Sequence, residues 1–323
     1  MCKTKLYTNN KMVEPPKRNL DKMPIKFLLT RHSHSCANAL VDIYKHRGIL
    51  HKLVSVHRPI SKFLYTDPEL TKEGEIKATE RGEKIYNTFI KPNTDGPLPE
   101  IYSSMLFRAK QTANFIRERI NALIDEGSKK RIANIGLLPY VNEVGLGYDN
   151  KEDTKRLNIL KACPFFIEQE YAKNPHIPSP SAFQKFLPHM IECRKYENNL
   201  HTSGQPYIDA IIVSHGHFMK KLFKTLFNIK FPHGDIKNLD SILLTLSKGS
   251  NGTYFIREAQ FHESGVNIDK SLEKLCNTGC DPKKFGGPPH MCKSLSTQKA
   301  GKRSTRHTRR KSMKRQPQLT PLL

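Results

Sequence analysis

The 323-residue chain reads as an α/β protein, a sheet with helices on both faces. Three observations predict this class. Short apolar runs of strand length alternate with longer stretches whose apolar residues recur at helical spacing. No internal repeat breaks the alternation. No apolar run approaches the ~20 residues needed to cross a bilayer; the longest include IKFLL at 25–29 and AIIV at 210–213.

Residues 1–23 are polar, carry Pro15-Pro16 and lack periodicity, so they read as a basic flexible arm. Order begins at Pro24. Ile25–Thr30 is a strand that delivers Arg31 and His32 to a Ser-rich turn. A helix from Ser35 to Arg47 places Ala37, Leu40, Val41 and Tyr44 on one face. Residues 45–66 form an irregular basic loop. Thr71 caps a helix that runs to Ile90, with Glu73 and Glu75 in its first turn. Glu100–Ser103 is a strand, and Leu106, Ala109, Ala113, Ile116, Ile120 and Leu123 share the face of the next helix. A strand within 132–138 leads to a Gly-containing loop around Glu143. The stretch 151–206 holds helical pieces broken by Pro188. Tyr207–Ser214 is a buried-type strand, His217–Phe227 a helix, and 241–247 and 253–261 two strands joined by a turn at 248–252. The folded domain thus spans 24–262, and 263–323 reads as a basic, disordered tail.

The charge is +24, from 54 Lys and Arg against 30 Asp and Glu. Residues 282–323 hold twelve of those cations and no acid, so the rest of the chain carries +12 (24 − 12). Such a balance favours anionic partners: nucleic acid, acidic lipid or phosphorylated substrates. The run KRSTRHTRRKSMKR at 302–315 lacks interleaved aromatics, so it reads either as a solvated end or as a nuclear-targeting or nucleic-acid-binding segment. The N-terminus is polar and basic, unlike a secretory signal, and the seven cysteines are odd in number. Reduced thiols and an intracellular location, cytoplasmic or nuclear, are the expectation. Cys276, Cys280, His290 and Cys292 include the residue types of a zinc site, but their spacing is unspecific. No metal site is assigned.

Two boxes stand at strand ends, FLLTRHSHSCAN at 27–38 and AIIVSHGHF at 210–218. Each brings a His to the C-terminal end of an apolar strand just before a helix. Ligands of open α/β sheets bind at that edge, and the helix N-terminus beyond it suits phosphate. A lone His in such a place is commonly structural. Two adjacent strands would bring His32 and His215 together over one pocket. Arg31 supplies a planar donor for a phosphoryl group. In YSSMLFRAKQTA at 102–113, Arg108 follows another strand, in the first turns of a helix.

Taken together, these boxes resemble the histidine phosphatase superfamily, the phosphoglycerate mutase-like fold, over 24–262. Arg31-His32-Ser33-His34-Ser35 through Asn38 is similar to the family's Arg-His-Gly-x-Ser-x-x-Asn. Asp67-Pro68-Glu69-Leu70-Thr71-Lys72-Glu73-Gly74 is similar to its Asp-x-x-Leu-Thr-x-x-Gly. Ser103-Ser104 through Arg108-Ala113, and Ser214-His215-Gly216, complete the set. The His-Gly pair resembles the mutase and small-molecule phosphatase branch. Ser33 departs from the family's Gly, which permits close backbone approach and unusual φ/ψ.

The resemblance implies a three-layer sandwich with a mostly parallel central sheet. It makes His32 the nucleophile, and Arg31, Arg108 and a protonated His215 the grip on phosphate, with Asn38 beside them. Glu143 is the best-placed acid–base, with Glu152 and Glu168 as fallbacks. Two Arg neighbours should keep His32 neutral and nucleophilic. No cofactor and no metal is implied. The mutases of the family that this chain resembles typically carry a Trp-Asn pair and a short loop here; this chain has no Trp and 28 residues between Asn38 and Asp67, so the resemblance implies hydrolysis of a phosphomonoester over a mutase reaction. A catalytically inactive phosphate- or nucleic-acid-binding protein is the alternative from another class. The expected substrate is a phosphorylated, polyanionic small molecule or protein, gripped at its second anion by the basic loop.

Overall fold

The computed structural model describes residues 7–8, 11–12, 24–46, 67–93, 96–124, 130–132, 134–138, 141–143, 180, 183, 204–228, 230–232, 234–248 and 254–280. In the arm, Tyr7–Thr8 and Lys11–Met12 pair antiparallel. Residues 47–66 of the basic loop 45–66, most of 151–206 and the tail beyond 280 lie outside the described residues.

A six-stranded mixed sheet forms the centre. Its strands are β1 (Ile25–Arg31), β2 (Glu100–Ser103), β3 (Ile135–Leu137), β4 (Ala210–Ser214), β5 (Ser241–Lys248) and β6 (Tyr254–His262), in the spatial order β3-β2-β4-β1-β5-β6. β3, β2, β4 and β1 are mutually parallel, β5 runs against β1, and β6 runs against β5 with a bulge at Thr245/Leu246. The helices are α1 (Cys36–His46), α2 (Lys72–Ile85), α3 (Phe107–Leu123), α4 (Gly216–Phe227) and α5 (Leu272–Cys276). The predicted α/β sandwich is the observed one.

The two faces of β1 explain its unbroken apolar run. Strand side chains alternate, so Ile25, Phe27 and Leu29 enter one core with Ile212, Phe218, Met219 and Leu222. Leu28 enters the other, with Ile211, Val213, Ala109, Ala113, Ile116 and Ile120. A strand covered on both sides has no polar face to show. Helix α2 begins as expected: the Thr71 hydroxyl accepts from Gly74 N–H at 2.9 Å. Beyond Ile85 the helix continues as a π-turn at Tyr86–Ile90 and a short 3-10 turn at Lys91–Asn93. α3 starts against Asp67, whose carboxylate accepts from Phe107 N–H at 2.6 Å, satisfying one of the free donors of that helix end.

The domain does not end at 262. Residues 263–280 fold back as a strap: Leu275 and Cys280 join Cys36, Ala39, Leu40 and Ile43 in a third apolar cluster. Lys72 N–H donates to Thr278 C=O at 2.9 Å, and Lys270 pairs with Asp42 at 2.9 Å. The strap is polar, and its one helix has five residues, so no periodicity marked it. Cys36 and Cys280 are joined as a disulfide across 244 residues of sequence, and Cys276 is also disulfide-bonded. The expectation of reduced thiols is thereby corrected, and its argument for a reducing compartment lapses. These bonds also take two sulfurs from the zinc alternative; His290 and Cys292 lie outside the described residues. Among the described residues, no cluster of three metal-ligating side chains occurs, and no helix is long and apolar enough to cross a membrane.

One glycine ties α2 to the first His box. A Cβ at Gly74 would stand 2.1 Å from the His34 carbonyl oxygen, a backbone atom that cannot swing aside. Gly74→Ala is expected to cost about 1–3 kcal/mol or more through forced backbone displacement. Thermal melting checks this, and an unchanged melting temperature would contradict the close packing of α2 on 33–34.

Candidate active site

The parallel register of β1 and β4 pairs Arg31 with Ser214, so the next residues on both strands, His32 and His215, emerge side by side. Their ring centroids are 5.0 Å apart, tilted by 56°. This is the juxtaposition expected of two neighbouring strand ends. His32 is held through its backbone: its N–H donates to Ser214 C=O at 2.9 Å, and its C=O accepts from Asn238 Nδ2 at 2.9 Å.

The imidazole of His32 has a defined orientation. Nδ1 lies 2.7 Å from the Ser33 carbonyl, which can only accept, so this nitrogen carries the hydrogen. Nε2 is left with its lone pair, and Arg108 Nε donates to it at 3.3 Å. That contact is long for a hydrogen bond and easily displaced by a better acceptor. β2 ends at Ser103, beside β4, so the start of α3 carries Arg108 to this spot.

His215 is fully buried at the start of α4. Its Nε2 lies 2.7 Å from Ser104 Oγ, which in turn accepts from Leu106 N–H at 3.3 Å. The hydroxyl can donate to Nε2 or accept from it, and in the tautomer where it donates the imidazole hydrogen lies on Nδ1. Nδ1 is buried without a hydrogen-bond partner among the described residues. A buried ring nitrogen without such a partner, beside two guanidinium groups, is a place for a ligand atom.

Arg31 closes the other side. Its Nη1 donates to Ile236 C=O at 2.5 Å, and its Nε is buried without a hydrogen-bond partner among the described residues. A Cβ on Gly216 would stand 3.4 Å from that Nε, so the glycine lets the guanidinium lie against the start of α4. Asn38 is at the rim. Its Oδ1 accepts from Ser35 N–H at 3.1 Å and from Asn238 Nδ2 at 3.3 Å, which leaves its own amide as the donor end. Glu143 reaches the same helix end: Oε1 accepts from Phe218 N–H at 3.3 Å and lies 3.6 Å from His217 Nδ1. Its segment is anchored on both sides, since Asn142 Oδ1 accepts from Met105 N–H and Val141 C=O accepts from Ser214 Oγ. The fallback acids Glu152 and Glu168 lie outside the described residues.

Burial, then the charges on Arg108 and Arg31, push His32 well below the ordinary imidazole value, so its ring is neutral, as expected from its two Arg neighbours. The expectation of a protonated His215 is corrected. Burial, then Arg108, His32 and Arg31, hold it well below that value too, so the imidazole of the free site is neutral. Burial also lowers Arg31, against the pull of Glu143 and Asp240. Asp42 resists its own burial: hydrogen bonds from His34 and Lys270 hold it at about 2.

The two neutral imidazoles make stability depend on pH. Unfolding frees them to titrate near 6.5, so below that pH the unfolded chain binds more protons than the folded one. The melting temperature is expected to fall as pH drops from 7 towards 5, and His215→Asn should flatten part of the fall. A flat profile over that range would contradict neutral burial of the pair.

Ser33, at the position of the family's Gly, is accommodated outside the reacting space. Its hydroxyl donates to Gly74 C=O at 2.6 Å and its N–H donates to Thr112 Oγ1 at 3.0 Å. Its φ is not in the left-handed region. The sequence reading assigned no role to Asn238 or Ser104. Ser104 stood inside a quoted box, but its pairing with His215 needs the register of β2 on β4. Asn238 sits in an irregular segment before β5 and had no pattern to reveal it.

No family model matches the chain, and no curated protein sequence matches it. Solved structures show likenesses at low identity. A mycobacterial glucosyl-3-phosphoglycerate phosphatase in complex with inorganic phosphate is 15% identical, over 75% of this chain and 100% of that one, with a TM-score of 0.42. A protein described as mycobacterial hydrolase 2 is 16% identical over 78% and 95%, with a TM-score of 0.42. A phosphoglycerate mutase from Bacillus anthracis is 15% identical over 81% and 99%, with a TM-score of 0.38. The structures that this chain is similar to thus include a phosphatase and a phosphoglycerate mutase.

Proposed function

We propose that the protein hydrolyses a phosphomonoester through a phosphohistidine on His32, without a metal. The observation that carries this reading is the buried imidazole with its hydrogen fixed on Nδ1 and its Nε2 lone pair facing Arg108 at 3.3 Å. A phosphoryl group entering between them meets a neutral nucleophile and a preorganised cation. Arg31 and the Nδ1–H of His215 serve its remaining oxygens, and the start of α4 adds its dipole. Asn38 donates at the rim.

The phosphoryl group passes from the ester oxygen to Nε2 of His32 as Glu143 protonates the departing alkoxide. Water then attacks the phosphohistidine, Glu143 takes its proton, and phosphate leaves with the imidazole neutral again. Net positive charge suits a substrate with further anionic groups. A screen of phosphorylated metabolites and phosphopeptides in EDTA tests the reading by product. Inorganic phosphate is the expected product; an isomeric phosphate ester would make the protein a mutase. A wild-type protein that turns over nothing and forms no phosphoryl-enzyme would make it a binding protein.

A further inference from the structure

We propose that His217 and Glu143 share one proton, and that His217 supplies it to the leaving-group oxygen through that carboxyl group. The inference rests on the phosphohistidine reading and deepens it.

The two half-reactions make opposite demands on Glu143. It must hold a proton when the alkoxide departs and lack one when water attacks. A carboxyl group that binds α4 through Phe218 N–H is placed for the second role. The first needs a nearby source of protons. His217 Nδ1 is 3.6 Å from Glu143 Oε1, and its side chain is 77% exposed. That distance is an ion-pair separation; closing it to a hydrogen bond takes under ~1 Å, which an exposed imidazole can supply by rotation. The groups facing His217 are Glu143, Arg31 at the end of β1, His215 and Lys220 on its own helix, and Asp235 in the segment before β5. Lys220 is itself paired with Asp235. Glu143 raises the imidazole above its ordinary value, against burial and the cations.

The proton balance closes. As the P–O bond breaks, the shared proton leaves His217 Nδ1 and reaches the alkoxide through Glu143, which leaves a carboxylate beside a neutral imidazole. As water attacks phosphorus, its proton passes to Glu143 and back to His217, whose open side also exchanges with solvent. The pair ends with the one proton it began with.

The test compares an alkyl phosphate, whose alkoxide must be protonated, with p-nitrophenyl phosphate, whose phenolate leaves unaided. His217→Gln is expected to lower kcat/KM on the alkyl ester ~10-fold, a fraction of the full general-acid effect. On the aryl ester the change should stay under about twofold, and the alkaline limb of the alkyl profile should move to lower pH. His217→Lys keeps a cation but not a proton that titrates near neutrality, so it should match His217→Gln. Equal losses on both esters, no loss on the alkyl ester, or full rescue by lysine would each overturn the inference while leaving the phosphatase reading intact. A wild-type protein inactive on both esters would overturn the reading beneath it, and this inference with it.

Discussion

His32→Ala is expected to abolish turnover, by ~10⁴-fold or more, the scale seen when a covalent nucleophile is removed from a unit. The variant should fold, because the bonds that place residue 32 belong to its backbone: N–H to Ser214 and C=O from Asn238. Arg31, Arg108 and His215 remain, so the variant should still bind phosphate. Wild-type protein quenched during turnover should carry phosphate that is acid-labile and base-stable, and His32→Ala should carry none. Ordinary turnover of a genuine substrate by the variant would remove the phosphohistidine mechanism.

Arg108→Ala has the next largest expected effect, a loss of ~10²–10³-fold in kcat/KM, the usual scale for one preorganised electrostatic donor. It also predicts a second change. Arg108 is the largest contributor after burial to the depression of His32. Without it, His32 should gain a proton at higher pH, and the acid limb of the rate profile should move upward. Arg108→Lys keeps a charge but not the planar fork, so it should restore part of the pH profile and little of the rate. A variant that loses rate with no movement of the acid limb would mean that Arg108 does not act on the nucleophile.

Much of the site was legible because its residues follow strands. The runs before Arg31-His32 and Ser214-His215 are apolar on both faces, and a strand buried on both sides announces itself. Ser103 and Arg108 were readable for the same reason. The strap 263–280 was not, since Lys270, Leu275 and Thr278 act one at a time, through an ion pair, an isolated apolar side chain and a carbonyl. Neither was the Cys36–Cys280 bond, because cysteine spacing carries no distance when 244 residues intervene. The protonated His215 failed for a different reason: a charge beside two arginines in a dry site opposes both burial and repulsion, and both are properties of the assembled fold.

The placement of β1 in the middle of the sheet also bears on how the protein is made. Its neighbours are β4 and β5, and the contact between Lys26 and Asp209 already spans 183 residues. At synthesis rates of ~5–20 residues per second, β1 leaves the ribosome on the order of ten to forty seconds before its first partner exists. Throughout that interval the segment Ile25–Leu29 is an apolar strand with two open edges, the kind of nascent segment that a chaperone holds. The candidate-site residues nearest the start of the chain are therefore among the last to meet their partners.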